Sequence, residues 1–453
     1  MRHPSNPILT SDMHLSAPVK WPLALLLLML CASLPAHAGS GTILLKNATI
    51  HTVNGGIIQK GCVLVEHGRI ALVAEVINMP VDEVVDLSGK HLYPGMIAPT
   101  TTLGLLEINA VRSTRDTTEV GQWTPEILSW RAVNPGSELI PVARANGITH
   151  AQPIPLGGTV SGQSSLIQLH GWTVEDLMVR PSVGLHLFWP SMSINHRPKA
   201  WSQKPSEWKT PMEQAKQRRL RIRRISTFYD DAKAYVAHHA SSETPVEIPN
   251  WAATRAWVNG EIPLFIHANE KRQIESAVTW TRERKLRMIL VGGRDAWMLA
   301  ELLAMHEIPV IYEHTFTLPQ RGTDPYDVHF AAPSILSKAG VRVIFSEGSD
   351  RFAASSVRNL PYAAAQAVAF GLPEEEALKG LTLYTAEILG LGSQLGSIET
   401  GKEASLIALN GELLDIRAQV THVWIQGQSI SIESRHTRLY RKYRDRPRIT
   451  TPD

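Results

Sequence analysis

Residues able to do chemistry gather at a few places in this chain. In "EHTFTLPQRGTDPYDVHF", Glu313, His314, Asp324 and Asp327 lie within one polar stretch, and imidazole and carboxylate are ligand types that divalent metals select. Read plainly, the same stretch is a solvated loop. His267 closes the apolar run "PLFIH", where it serves either as a ligand or as a hydrogen-bonded structural residue, and its partners decide which. "GGTVSGQSS" at 157–165 reads as a Gly-rich turn without the spacing of a phosphate-binding loop, and its serines have no evident His and Asp partners for nucleophilic catalysis. His238 and His239 fall on a helical pattern and read as surface residues.

The elements that must position these groups follow from periodicity. The chain has 453 residues, 43% of them hydrophobic and 19% charged, enough for a large core and more than one structural part. Short strands and turns fill Thr42 to Leu92, with "HGR" as a hairpin turn, and a matching set appears in "EASLIALNG" and "VTHVWIQGQSISIES". Two half-sheets at opposite ends of a chain predict one β-domain built from both. Between them, "ITHAQPI", "VGLHLFW", "PLFIHA", "RMILVGG", "IPVIYE" and "VRVIFSE" read as strands, and helical patterns such as "EKRQIESAVTWTRERK" follow several of them. This rhythm predicts an α/β fold, a (β/α)8 TIM-like barrel plus a small β-sandwich domain formed by both ends, with a doubly wound sheet as the alternative. Residues from about Ser191 to Asn250 interrupt the rhythm and read as an excursion over the barrel mouth, either a lid or extra packing.

The formal net charge of +3 is near balance. The basic runs "KQRRLRIRR" and "RHTRLYRKYRDRPR" read as a solvated helix face and a tail, so no nucleic-acid partner is expected. Near the start, Lys20 precedes "WPLALLLLMLCASLPAHA", an apolar run shorter than a comfortable membrane span that ends in the small residues Ala36-His37-Ala38. That pattern predicts a cleaved signal peptide and a periplasmic or secreted protein, with Met1 and Met13 both open as starts. Leu30 before Cys31 argues against lipid anchoring, and Cys62 alone would remain, too few thiols for an internal disulfide. No span is expected in the mature chain. The expected division is a signal peptide over 1–38, the first half of the β-domain over 39–91, the barrel over 92–395, the second half over 396–435 and a basic tail over 436–453.

The stretch "LYPGMIAPTTTLGL", 92–105, resembles the first barrel strand of the amidohydrolase superfamily, Pro-Gly-x-Ile-Asp-x-His-x-His, in which both histidines bind a divalent metal. The likeness continues through "PVARANGITHAQPIPLGG", "PLFIHANE" and "ALKGLTLYTAEILGLGSQLGSIETGKEASLIAL", and is nearest to the imidazolonepropionase-like subgroup. Pro94, Gly95 and Ile97 match the pattern, Ala98 replaces the aspartate, and Thr100 and Thr102 replace the two histidines. His267 matches the ligand of the fifth strand, Gly292 and Gly293 stand where the sixth would supply one, and Asp350 matches the last-strand aspartate, with Glu347 as its competitor. The resemblance therefore implies Asp350 as the catalytic group, and His267 with Asp350 as what is left of a metal site. It places Thr100, Thr102, Gln163, Ser164 and Asn269 near a small-molecule substrate. One zinc or other divalent metal is implied, or none if the site is fully degenerate. The implied activity is hydrolysis of non-peptide C–N bonds, in amides or cyclic amides. The alternative is a non-catalytic pseudo-enzyme that binds a small ligand or partners an active paralogue, and a homo-oligomer is also open.

Overall fold

A computed structural model of the chain describes residues 41–350 and 352–447. The apolar N-terminal run lies outside the described residues. One sheet is assembled from both ends of the described chain: β1 (Thr42–His51), β2 (Ile57–Glu66), β3 (Arg69–Ala74), β4 (Glu83–Asp86) and β5 (His91–Pro94) from one side, and β14 (Leu406–Leu409), β15 (Val420–Ile425) and β16 (Gln428–Ile430) from the other. Their order is β16-β15-β14-β5-β1-β2-β3, with β4 beside β1. The seam between the two ends is the antiparallel pair β5 and β14, in which Leu406 opposes Pro94 and Leu409 opposes His91. Alternation drives it: Leu45, Val63, Val65, Leu92, Leu406 and Trp424 share one dry cluster that neither end could bury alone.

Two tight turns meet above that cluster. His67-Gly68 joins β2 to β3 and Gln426-Gly427 joins β15 to β16, all four residues at positive φ, as two-residue hairpins require. A Cβ on Gly68 would lie 2.8 Å from the Gln426 carbonyl oxygen, so the approach of the two turns itself demands glycine.

The second sheet carries β6 (Met96–Thr101), β7 (Ile148–Pro153), β8 (Val160–Gln168), β9 (Met178–Phe188), β10 (Leu264–Ala268), β11 (Met288–Gly292), β12 (Val310–Tyr312) and β13 (Val343–Phe345), paired in that order into a nearly closed barrel with helices outside it. Seven run parallel. The Gly-rich stretch expected to be a turn is instead β8, which lies antiparallel to both β7 and β9. It supplies the eighth strand that periodicity misses, because Gly162 and a run of serines carry no alternating apolar signal. Ile97, Leu166, Val183, Phe265, Ile289 and Ile311 fill the barrel interior, and Ile388, Leu389 and Leu391 of the return to the terminal sheet pack against the same cluster.

The excursion from Ser191 contains a 31-residue helix, Pro211–Ser241, started by a Thr210/Glu213 capping box with Pro211 in its first turn. Its Ile225, Phe228, Tyr229 and Ala232 are buried, and Phe228 stacks on Trp123 at 4.9 Å between ring centroids. The helix is therefore a packing element on the barrel wall. His239 pairs with Glu247 on its surface.

Candidate active site

Strand alternation sets what faces the barrel interior. Phe265, Ile311 and Ile344 belong to the interior cluster, so the residues two further on, His267, Glu313 and Ser346, continue the same inner face at the C-terminal ends of their strands. Thr100 joins them by a different route. Its φ of +44° and the register shift between Ala98 and Thr101 bend the end of β6, an unfavourable conformation for a β-branched residue. This conformation brings the Thr100 hydroxyl to two of those strand ends: Oγ1 donates to Glu313 Oε1 at 3.0 Å and lies 2.9 Å from Ser346 Oγ.

These contacts form a hydroxyl chain whose direction depends on one proton. Each hydroxyl carries a single hydrogen. With Glu313 ionised, Thr100 donates to the carboxylate and Ser346 donates to Thr100. With Glu313 protonated, Glu313 donates to Thr100, Thr100 to Ser346, and Ser346 to the Pro99 carbonyl 3.1 Å away. The chain also closes the barrel, linking the strand ends of β6 and β13. Gln152 fixes the strained turn from below, accepting from the Thr100 N–H at 3.2 Å and donating to Ser164 Oγ at 2.8 Å.

Burial pushes the Glu313 carboxyl up to about 7, opposed by the Thr100 hydrogen bond and reinforced by the charge of Asp350. Glu347, the residue after Ser346, is also pushed up to about 7, by burial and then by Asp350. Both Glu313 and Glu347 keep partial access to solvent. Glu313, hydrogen-bonded to a switchable hydroxyl, and Glu347, one residue beyond Ser346, both titrate near neutrality and can exchange protons with a substrate at physiological pH.

The carried-over residues separate into groups. His267 Nε2 is 2.9 Å from Nδ1 of the buried His186, and its ring stacks on Phe188 at 4.0 Å. Burial holds His267 down at about 3, so the pair is neutral. Asn269 Oδ1 accepts from His314 Nε2 at 2.6 Å and from the Arg294 N–H at 3.3 Å. A Cβ on Gly292, at φ +92°, would lie 2.5 Å from that oxygen, so the glycine makes the room that Asn269 occupies. Gln163 Nε2 donates to the carbonyls of Pro125 and Ala253, tying two loops together. Asp350 is exposed at the rim, accepting from the N–H groups of Phe352 and Ala353 at 2.8 and 3.0 Å. It shares a cleft of about 1020 Å³ with Thr102, whose buried hydroxyl has no hydrogen-bond partner among the described residues.

The residues present do not fit a three-ligand zinc site. Among the described residues no three His, Cys, Asp or Glu side chains come together to hold a metal ion. Thr100 is committed to Glu313, and the Nε2 of His267 is committed to His186. The polar loop does not assemble another site either, for Glu313 turns to Thr100, His314 to Asn269, and Asp324 to Arg321. Sequence reading missed the grouping of Glu313, Ser346 and Gln152. The available signal was the spacing of two from Ile311 to Glu313 and from Ile344 to Ser346.

Comparison with known proteins gives a consistent picture. The sequence profile of the amidohydrolase family matches residues 181–430. Amidohydrolase tasK of Hapsidospora irregularis is 22% identical over 401 residues, covering 81% of this chain but 39% of that protein, so the chain spans about two fifths of this curated relative. An amidohydrolase from Thermotoga maritima MSB8 superposes with a TM-score of 0.71 at 27% identity, over 86% of this chain and 99% of that one. A zinc-bound adenosine deaminase from Xanthomonas campestris shares the fold at a TM-score of 0.50 and 16% identity, over 89% of this chain and 98% of that one.

Proposed function

We propose, from the premise that this chain belongs to the amidohydrolase family, that it hydrolyses a non-peptide C–N bond of a small molecule, an amide or cyclic amide, with carboxylates doing the proton transfers. The observation that carries this reading is Glu313, half-buried on the inner face, hydrogen-bonded to Thr100 and pushed up to about 7. Ionised Glu313 takes a proton from the attacking water as its oxygen bonds to the carbonyl carbon. Glu347, in its protonated form, gives its proton to the leaving nitrogen as the C–N bond breaks. Water is consumed, and an acid and an amine are formed. Positioned acid–base groups of this kind contribute about 10²- to 10⁴-fold each.

Export through the N-terminal apolar run belongs to the same proposal, and so does the replacement of the first-strand histidines by Thr100 and Thr102. No helix among the described residues is long and apolar enough to cross a membrane. A second reading, a non-catalytic binder, draws on the internal engagement of His267 and Thr100.

The deciding experiment is a pH-stat assay of chelator-treated protein against lactams, hydantoins, dihydropyrimidines and N-acyl amino acids. Turnover should peak near pH 7, since the base must be ionised and the acid protonated, and fall on both sides. Glu313→Gln should lower kcat by about 10²-fold or more with KM little changed. Folded protein with no turnover on any of these classes, or turnover indifferent to Glu313→Gln, sinks the carboxylate mechanism and favours the binder.

A further inference from the structure

A second cleft, of about 610 Å³, opens on the same face of the barrel, beyond the ends of β9 to β12. Five cationic side chains line it, Arg218, Lys271, Arg272, Arg294 and Arg321, against the two carboxylates Glu270 and Asp295. Asp295 is already neutralised by Arg321, which also pairs with Asp324. The first-turn amide of the helix Lys271–Glu283 is taken as well, since the Lys271 N–H donates to Asp295 Oδ2 at 3.0 Å. What remains is four positive side chains, Arg218, Lys271, Arg272 and Arg294, against the one carboxylate of Glu270, which accepts from the Ser191 hydroxyl. No carboxylate pairs with Lys271, Arg272 or Arg294 among the described residues, and Arg294 Nε is buried without a hydrogen-bond partner.

A half-buried guanidinium with neither an ion pair nor a full set of acceptors is costly unless a ligand completes it. Arg294 also connects the cleft to the barrel mouth. Its N–H donates to Asn269 Oδ1, and burial, followed by the Arg294 charge, holds His314 down at about 3, so His314 adds no competing cation.

We propose that this cleft is an oxyanion subsite, which binds a carboxylate or phosphate group of the small molecule whose reactive bond lies at Glu313, with Arg294 as the anchor and Arg272 and Lys271 as flanking charges. Identifying the bound molecule as the substrate rests on the hydrolase reading above, whereas the anion site itself does not. Guanidinium matches either oxyanion through paired N–H donors.

The test is titration calorimetry of the full chain with inorganic phosphate and with succinate, at low and at high NaCl. One or both anions should bind at one site per chain and weaken with salt. Binding of phosphate alone marks a phosphate-bearing ligand, and binding of succinate alone marks a carboxylate. Arg294→Gln should weaken binding by about tenfold or more. Arg272→Gln, at an exposed position, should weaken it by about threefold and serves if the first variant does not fold. Glu313→Gln should leave the affinity within about twofold, so that a parent protein without turnover, or turnover indifferent to Glu313→Gln, beside intact anion binding would count against the hydrolase reading alone. Failure of both anions to bind the folded protein, or affinities unchanged in the folded arginine variants, overturns the subsite.

Discussion

The terminal sheet and the barrel mouth are both assembled from residues far apart in the chain, but by opposite means. In the sheet, Leu92 and Leu406 meet because each strand exposes an apolar face that only the other end of the chain can cover. In the mouth, Thr100, Glu313 and Ser346 meet although the contact strains the backbone at Thr100 and holds a carboxyl in surroundings that resist its ionisation. The contrast teaches that the sheet is organised for stability, while the mouth keeps arrangements that stability alone would remove.

The strongest way to break the comparison is to delete the chain after Gly396. That removes β14 to β16, exposes the edge of β5 and opens the dry cluster around Leu92 and Leu45. The truncated protein should be insoluble or melt without a cooperative transition. A soluble, cooperatively melting product would show that the barrel does not need the shared sheet.

A smaller effect, of opposite sign, is expected from Glu313→Gln. The folded-state value of about 7 is above the ordinary carboxyl value of 4.5, so between those two pH values the folded chain binds more protons at Glu313 than the unfolded chain does. Its penalty on stability is absent at low pH and grows as pH rises toward 7. The variant should therefore be more stable than the parent at pH 8, by about 3 kcal/mol, with the gain shrinking toward pH 5. Denaturant titrations at the two pH values read this directly. A variant less stable than its parent at pH 8 would mean that Glu313 is a structural residue.

The finest distinction uses two glycines at positive φ. Gly68→Ala and Gly292→Ala each place a Cβ against a polar neighbour, the Gln426 carbonyl in the sheet and the Asn269 side chain in the mouth. Both should lose about 1–2 kcal/mol of stability. Only Gly292→Ala should also change KM, because it displaces Asn269 from His314 and Arg294. Equal kinetic effects from the two would erase the functional difference between the regions.

What could be read from residues alone was whatever depends on local periodicity. Short apolar runs such as "PLFIHA" and "VRVIFSE" are strands because a parallel barrel strand is covered on both faces, and "HGR" is a hairpin because positive φ is needed there. The same logic paired the two chain ends. Tertiary structure alone decided that the serine- and glycine-rich 160–168 segment is a strand, since its neighbours β7 and β9 supply the hydrogen bonds that its own residues do not advertise. It alone decided that Glu313, 213 residues from Thr100, becomes that residue's partner. Ionisation behaviour follows the same division. A glutamate in sequence is an ordinary acid, and only burial, with the charge of Asp350 added and against the pull of the Thr100 hydrogen bond, turns this one into a group that titrates near neutrality.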